Sequence, residues 1–365
     1  MDLIHPNRDN IKGVSPLTQE VKVTKTKNQL VHESRLESQM RATKVALRDK
    51  ERQYQAVADE NVRLERALEG ALALKNHKPH LFAIKPSKNA GGEATAVACL
   101  SDVHWGELVP AHKVNNLNQY SPAIAKQRVS RFHELVTRFI ADDRRSTRIG
   151  NLVLWWGGDI ITNEMHDTPN ALGVAPEVLE AMDGLHSGLQ YLLESNTNLN
   201  IHVVGSVGNH GRAFTQKPVN QAREQEQSWE WAMYNILRDR YKHEKRVTWT
   251  MDRAYHTYIQ VYDKTVRFNH GHLGWRYNLG LGGVHGPLWK VISQTWDKQR
   301  RADLTVCGHY HTLTPASIGR PYMVNGSVIG VTPYGMNFGF EPPAQIYFLI
   351  HSRYGVVNQR ALFLE

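Results

Sequence analysis

The chain has 365 residues, of which 41% are hydrophobic and 22% charged, with a net charge of +9; that is enough for one large domain or two smaller ones. Its two cysteines, Cys99 and Cys307, exclude a disulfide framework and read as reduced, buried thiols. No run reaches the roughly 18 unbroken apolar residues of a membrane span, and "MDLIHPNRDNIKG" lacks a signal-peptide core, so a cytoplasmic protein with no membrane partner is expected.

The charge is uneven. Residues 1–90 hold 17 Lys/Arg against 11 Asp/Glu, and residues 91–365 hold 27 against 24. A basic N-terminal quarter suggests a polyanionic partner such as nucleic acid, or simply a solvated basic face.

Residues 1–16 are expected to be a flexible N-terminus, followed by a long helix over 17–74. Residues 17–69 contain neither Gly nor Pro and are rich in Arg, Lys, Glu, Gln, Leu and Ala. Alternate steps of three and four from Leu36 reach Met40, Thr43, Leu47, Lys50, Tyr54, Val57, Asn61, Leu64, Leu68 and Ala71, and eight of these eleven positions are apolar. That seam predicts a parallel coiled-coil homodimer, with Asn61 suited to fixing register; the alternative is one long helix lying on its own catalytic domain. Residues 75–94, "KNHKPHLFAIKPSKNAGGEA", mix Pro, Gly and Lys without periodicity and read as a linker.

A globular domain is expected over 95–365. Short apolar runs, "ATAVACLSD" (94–102), "NLVLWWGGD" (151–159), "IHVVGSVGN" (201–209), "VRFNHGH" (266–272) and "LTVCGHYH" (304–311), alternate with candidate helices near 122–145, 174–195, 222–241 and 286–300. This alternation predicts a layered α/β fold around buried strands. The last third turns strand-rich in "YMVNGSVIGV", "AQIYFLIHS" and "GVVNQRALFL".

Each of the five runs closes on side chains of one chemical kind. The first ends in Asp102 and His104, the second in Asp159, the third in Asn209 and His210, the fourth in His270 and His272, and the fifth in His309 and His311. In layered α/β proteins ligands bind outside the carboxyl ends of strands, where residues far apart in sequence converge. Asp, Asn and His are ordinary strand-end residues taken singly, but five such endings in one chain form a pattern. Carboxylate, imidazole and amide oxygen make a mixed N/O set suited to Mn, Fe, Zn or Ni. The donors are too many for one zinc and fit two metals sharing a carboxylate. His309 and His311 would face the same way if both lay in a strand, because alternate strand residues share a face.

The ordered blocks "SDVH", "GGD", "GNH", "NHGH" and "GHYH" resemble the calcineurin-like metallophosphoesterase superfamily over residues 101–311. The resemblance implies a two-sheet β-sandwich flanked by helices and hydrolysis of phosphoesters by two divalent ions, manganese first, with Fe, Zn or Ni as alternatives. It also implies that Asp102, His104 and His311 bind one ion, that Asn209, His270 and His309 bind the other, and that Asp159 bridges them. A hydroxide shared by the metals would attack, and His210 would protonate the leaving oxygen as general acid. The family usually places an acidic residue after Gly-Asn-His; here Gly211 and Arg212 follow.

Arg212 is a candidate phosphate ligand or a surface arginine, and His272 a support for the metal ligands or a substrate contact, or else a turn histidine. "GLGGVHGP" (280–287) lacks the Gly-Lys-Ser/Thr ending of a P-loop and reads as a loop. "WRYN" (275–278) offers an arginine and two aromatics for base stacking or for packing. Trp155, Trp156, Trp229, Trp231 and Tyr234 are expected in the core. The leading expectation is a nuclease or phosphodiesterase acting on nucleic acid, similar to the double-strand-break repair nucleases of the superfamily. The alternatives are a phosphomonoesterase for phosphoproteins or nucleotides and a non-catalytic scaffold.

Overall fold

The computed structural model describes residues 26–76, 92–164, 168–213, 224–273, 285–317, 319, 321–337 and 341–365. The expected flexible N-terminus, most of the linker, "WRYN" and most of "GLGGVHGP" lie outside these residues. The chain divides into two units, Met1–Lys85 and Pro86–Glu365.

In the first unit, helix α1 runs over Lys27–Asn76. Its seam residues Leu36, Met40, Leu47, Tyr54, Val57, Leu64 and Leu68 are all exposed. The helix carries 10 Lys/Arg against 8 Asp/Glu, so most of the basic excess of residues 1–90 lies outside it.

The second unit is a mixed α/β structure with two sheets flanked by helices. The larger sheet has strand order β10-β9-β1-β2-β3-β4. It is built from β1 (Glu93–Leu100), β2 (Arg148–Trp156), β3 (Asn200–Gly205), β4 (Val247–Thr250), β9 (Ala344–His351) and β10 (Gly355–Phe363). Strands β1 to β4 run parallel, and β9 and β10 pair antiparallel at one edge. The smaller sheet is β5 (Thr257–Val261), β6 (Lys264–Phe268), β7 (Leu304–Cys307) and β8 (Tyr322–Val324), in that order, with β6, β7 and β8 parallel. Strand β1 begins at Glu93, two residues inside the expected linker.

Burial on both faces explains why these strands read as unbroken apolar runs. In β1, Val97 and Cys99 enter the core between the sheets with Val153, Trp155, Phe268, Val306 and Phe348. Ala96, Ala98 and Leu100 point the other way, onto α2 (Pro122–Asp143), α3 (Val174–Ser195) and α4 (Trp229–Arg240). The two-residue period of the strand thus splits Trp155 from Trp156, one to each core. Behind the smaller sheet, Cys307, Tyr322 and Val324 pack on Leu288 and Val291 of α5 (His285–Val291) and on Trp296. Both cysteines are free and buried.

Helix α4 is shorter than the expected 222–241. Ser228 caps it by accepting from the Glu230 N–H at 3.2 Å, which fixes its start by a hydroxyl rather than by the apolar pattern. Trp229, expected in the core, is 40% exposed at its first position, whereas Tyr234 is fully buried.

Candidate metal centre

All five sequence blocks fall just beyond the carboxyl ends of parallel strands. Asp102 follows β1 by two residues, Asp159 follows β2 by three, Asn209 follows β3 by four, and His270 and His309 follow β6 and β7 by two each. The expectation that His309 and His311 share a strand face is corrected here, because β7 stops at Cys307. Both histidines adopt left-handed backbone, φ 71° and 54°, and a turn rather than strand alternation aims them.

The same geometry recurs at Asp102, His104 and Asp159, with φ between 49° and 53°. Left-handed backbone is uncommon outside glycine, and when several such residues cluster the surrounding fold must hold them there. Gly158 and Gly208 show how. Gly158 sits at φ 86°, and a Cβ there would strike the Gly208 backbone, while a Cβ on Gly208 would strike the Asp159 carboxylate. Only hydrogen at both positions lets the loops after β2 and β3 close together.

The side chains collect into two groups whose ligand atoms lie within 4.8 Å of one another. Asp102, His104 and His311 form the first; Asp159, His270 and His309 form the second. The groups adjoin, since the His309 N–H donates to Asp102 Oδ1 at 2.9 Å. In the first, His104 Nε2 and His311 Nε2 face each other at 3.3 Å, and His311 Nε2 lies 3.4 Å from Asp102 Oδ1. In the second, His270 Nδ1–H donates to the Gly157 carbonyl at 2.7 Å, leaving Nε2 against Asp159 Oδ2 at 2.9 Å. Asp159 Oδ1 accepts from the His210 N–H at 2.8 Å.

Burial by itself lowers His270 and raises Asp159. Their contact reverses both, pushing the imidazole up to about 10 and holding the carboxyl well below its usual range. His104 and His309 are pushed far down by burial and then by neighbouring imidazoles, so both are neutral. Neutral imidazole and ionised carboxylate are the forms that bind a divalent metal. His104, His309 and Asp159 are already in that form, whereas His270 and His311, lowered by burial but raised overall by their carboxylate neighbours, would release a proton on binding an ion. Asn209 is 8% exposed, and its buried Oδ1 has no hydrogen-bond partner among the described residues. An unsatisfied buried oxygen and two ring nitrogens turned toward each other are costly unless a cation meets them. The donor set therefore fits divalent metal.

His210 packs its ring against His104 with centroids 4.7 Å apart, and its Nδ1–H donates to the Thr162 carbonyl at 2.8 Å. His272 is buried beside His270 and His309 and lies 3.1 Å from Glu224 Oε1. Arg212 is 16% exposed and engages the same Glu224 through Nε at 2.6 Å and through Nη2. Burial raises Glu224, but His272 and then Arg212 outweigh it and the carboxyl is lowered. Arg212 and His272 therefore meet on one buried carboxylate beside the second group.

Four buried glutamates around the centre belong to no sequence block. Glu107 lies 3.7 Å from His104 Nδ1 and is lifted to about 7, mainly by burial. Glu224 joins Arg212 to His272. Glu177 and Glu230, both 0% exposed, accept main-chain N–H groups of the loops. In sequence, Glu177 in "APEVLEA" and Glu230 in "SWEWA" look like ordinary first-turn helix acids, so no local signal separates them from solvated ones.

No helix of the described residues is long and apolar enough to cross a membrane. No protein-family model matches the chain, and no curated protein matches it. Among solved structures, Vps29 from Chaetomium thermophilum aligns with 8% identity over 74% of this chain and 100% of that one, at a TM-score of 0.29. An overlap that loose says nothing about the chemistry of this chain.

Proposed function

We propose that this protein is a dinuclear metal-dependent phosphoester hydrolase of the calcineurin-like metallophosphoesterase type. The observation that carries the reading is the pair of adjoining ligand groups, Asp102/His104/His311 and Asp159/His270/His309, with His210 packed against His104 and the unpartnered buried oxygen of Asn209 next to it in sequence. Asp159 meets two different loops, with the His210 N–H donating to Oδ1 and His270 Nε2 beside Oδ2, which suits it to stand between two ions. Divalent metal bound there supplies Lewis-acid charge to a phosphoryl group and acidifies water; manganese is our first choice, with Fe, Zn or Ni as alternatives. The protein orients the ligands through backbone carbonyls and buried carboxylates, as at His270 and Gly157.

His210 is assigned the proton transfer. Its Nδ1–H is committed to the Thr162 carbonyl, so Nε2 is the nitrogen that exchanges the proton with the leaving oxygen. Arg212 and His272, joined through Glu224, line the same region and are assigned to the substrate wall.

For the substrate we propose a polynucleotide, supported by the +9 net charge. The near-balanced charge of α1 favours a second reading, in which the helix only pairs two chains and the substrate is a phosphomonoester of a phosphoprotein or nucleotide. The heptad seam and Asn61 support homodimerisation through a parallel coiled coil in either case. One experiment separates these readings. The purified protein is analysed for metal and assayed under manganese on single-stranded DNA, double-stranded DNA, RNA, bis-p-nitrophenyl phosphate and p-nitrophenyl phosphate. Cleavage of a polynucleotide supports the first reading, and turnover of the monoester alone supports the second. A metal-loaded protein that turns over none of them is not a phosphoesterase.

A further inference from the structure

Glu177 lies in the first turn of α3 and is fully buried. Its carboxylate is saturated by four N–H donors. Oε1 accepts from the Gly106 N–H at 2.7 Å and the Thr162 N–H at 2.5 Å, and Oε2 accepts from the Asn163 N–H at 2.9 Å and from Asn170 Nδ2 at 2.7 Å. One side chain therefore ties the loop after β1, two residues beyond His104, to the loop after β2.

The connection continues to His210 by two routes. The Thr162–Asn163 peptide donates the Asn163 N–H to Glu177 Oε2 at 2.9 Å and accepts His210 Nδ1–H on the Thr162 carbonyl at 2.8 Å. Asn163, held left-handed at φ 59°, uses Nδ2 to grip the carbonyls of His210 at 2.9 Å and Arg212 at 2.6 Å. Both the ring and the main chain of His210 are thus fixed by the segment that Glu177 fixes. The residues that come after His210 are Gly211 and Arg212, so no acidic side chain adjoins it in sequence.

We propose that Glu177 is the positioning residue for His210, acting through the Thr162–Asn163 peptide. This rests on the reading of His210 as proton donor. The chemistry of the carboxylate makes the role specific. An ionised carboxylate only accepts, and each of its oxygens here meets two donors; glutamine turns one oxygen into an NH₂ group that opposes two N–H groups. Charge-assisted bonds to the other oxygen are weakened as well. Loosening Thr162 or Asn163 frees the ring plane and tautomer of His210, and proton delivery slows.

A proton donor matters in proportion to the leaving group's need of it. An alkoxide leaves poorly without a proton, whereas p-nitrophenolate leaves readily. The full-length, manganese-loaded protein is compared as wild type, Glu177→Gln, Asn163→Gly and His210→Ala. Each is assayed on the p-nitrophenyl ester that the wild type turns over and on the matching unactivated ester, a dinucleotide or glycerol phosphate. Glycine keeps the left-handed backbone at 163 comfortable and leaves Glu177 in place, so Asn163→Gly decides if Glu177→Gln does not fold. Both positioning variants are expected to keep wild-type metal content and near wild-type turnover of the activated ester. On the unactivated ester kcat should fall on the order of 10- to 100-fold with KM little changed, a part of the proton-transfer contribution.

A second readout does not depend on activity. With ¹⁵N-labelled histidine, the slowly exchanging Nδ1–H resonance that disappears in His210→Ala should broaden or vanish in Glu177→Gln and Asn163→Gly. An unchanged resonance, or equal loss on both esters, overturns the proposal. A wild type inactive on every ester overturns the phosphoesterase reading instead, and the resonance still reports whether Glu177 holds the ring.

Discussion

His309 and His311 stand one residue apart, yet they belong to different ligand groups: His309 lies with Asp159 and His270, and His311 with Asp102 and His104. Left-handed backbone at both residues turns the chain so that each imidazole serves its own cluster. Replacing either should therefore affect metal binding at the two groups unequally. In manganese titration calorimetry, His311→Ala should weaken one binding step at least tenfold, the scale expected even for outer-shell losses, and His309→Ala should weaken the other. If both variants lose the same step, the partition is wrong.

His210 contributes no atom to either group, and its role should separate cleanly from metal binding. His210→Ala should keep the metal content of the wild type while losing on the order of 10²- to 10⁴-fold in kcat on an unactivated ester. Metal analysis beside steady-state kinetics checks both halves. Near-normal turnover of an unactivated ester would falsify the general-acid assignment.

Gly208 should be intolerant of even one methyl group. A Cβ there meets the Asp159 carboxylate and main-chain N–H, both inside the centre. Gly208→Ala is expected to lose metal from the Asp159 group and to lower the thermal midpoint, by overpacking that typically costs about 1–3 kcal/mol. Differential scanning calorimetry with and without manganese reads both effects; the metal-dependent increment in midpoint should shrink most.

Away from the centre, His133 makes stability fall with acid. It is 1% exposed on α2, and its Nδ1–H donates to the Val129 carbonyl at 2.7 Å. Burial outweighs that bond and holds the imidazole down at about 4, against 6.5 for an ordinary histidine. Between those values the unfolded chain binds the proton and the folded one does not, so stability is full above pH 6.5 and is lost as pH falls toward 4. The slope is about 1.4 kcal/mol per pH unit. His256, lowered to about 4 by burial and then by Arg267, adds the same sign. Urea denaturation at pH 7 and pH 5 should show a smaller drop for His133→Leu than for wild type.

The N-terminal unit should be separable from the chemistry. Removing residues 1–85 is expected to leave turnover of a p-nitrophenyl ester within a few-fold of wild type while abolishing dimerisation, read by sedimentation velocity. If the substrate is a polynucleotide bound by the basic excess of residues 1–90, its affinity should fall and the salt dependence of binding should flatten.

The five apolar runs, their polar endings and the long N-terminal helix were legible from residues alone, because each depends on neighbours a few positions away. Asp102, Asp159, Asn209, His270 and His309 mark strand ends by composition, and strand ends are where an α/β protein gathers its ligands. Boundaries were less legible. Strand β7 stops two residues before His309 and α4 starts at Trp229, since turn geometry and a serine cap, not hydrophobicity, end those elements.

The amino-acid order by itself singled out Asp102, His104, Asp159, Asn209, His210, His270, His309 and His311 as candidate site residues and set them at strand ends. Only the tertiary structure decided how they divide into two groups, which backbones turn left-handed, and that Glu177 and Glu230 are buried carboxylates rather than solvated helix acids. The physical reason is distance along the chain. Glu177 meets Gly106 across 71 residues and Asp102 meets the His309 N–H across 207. The cost of burying such polar groups is offset only by donors that arrive when the fold closes.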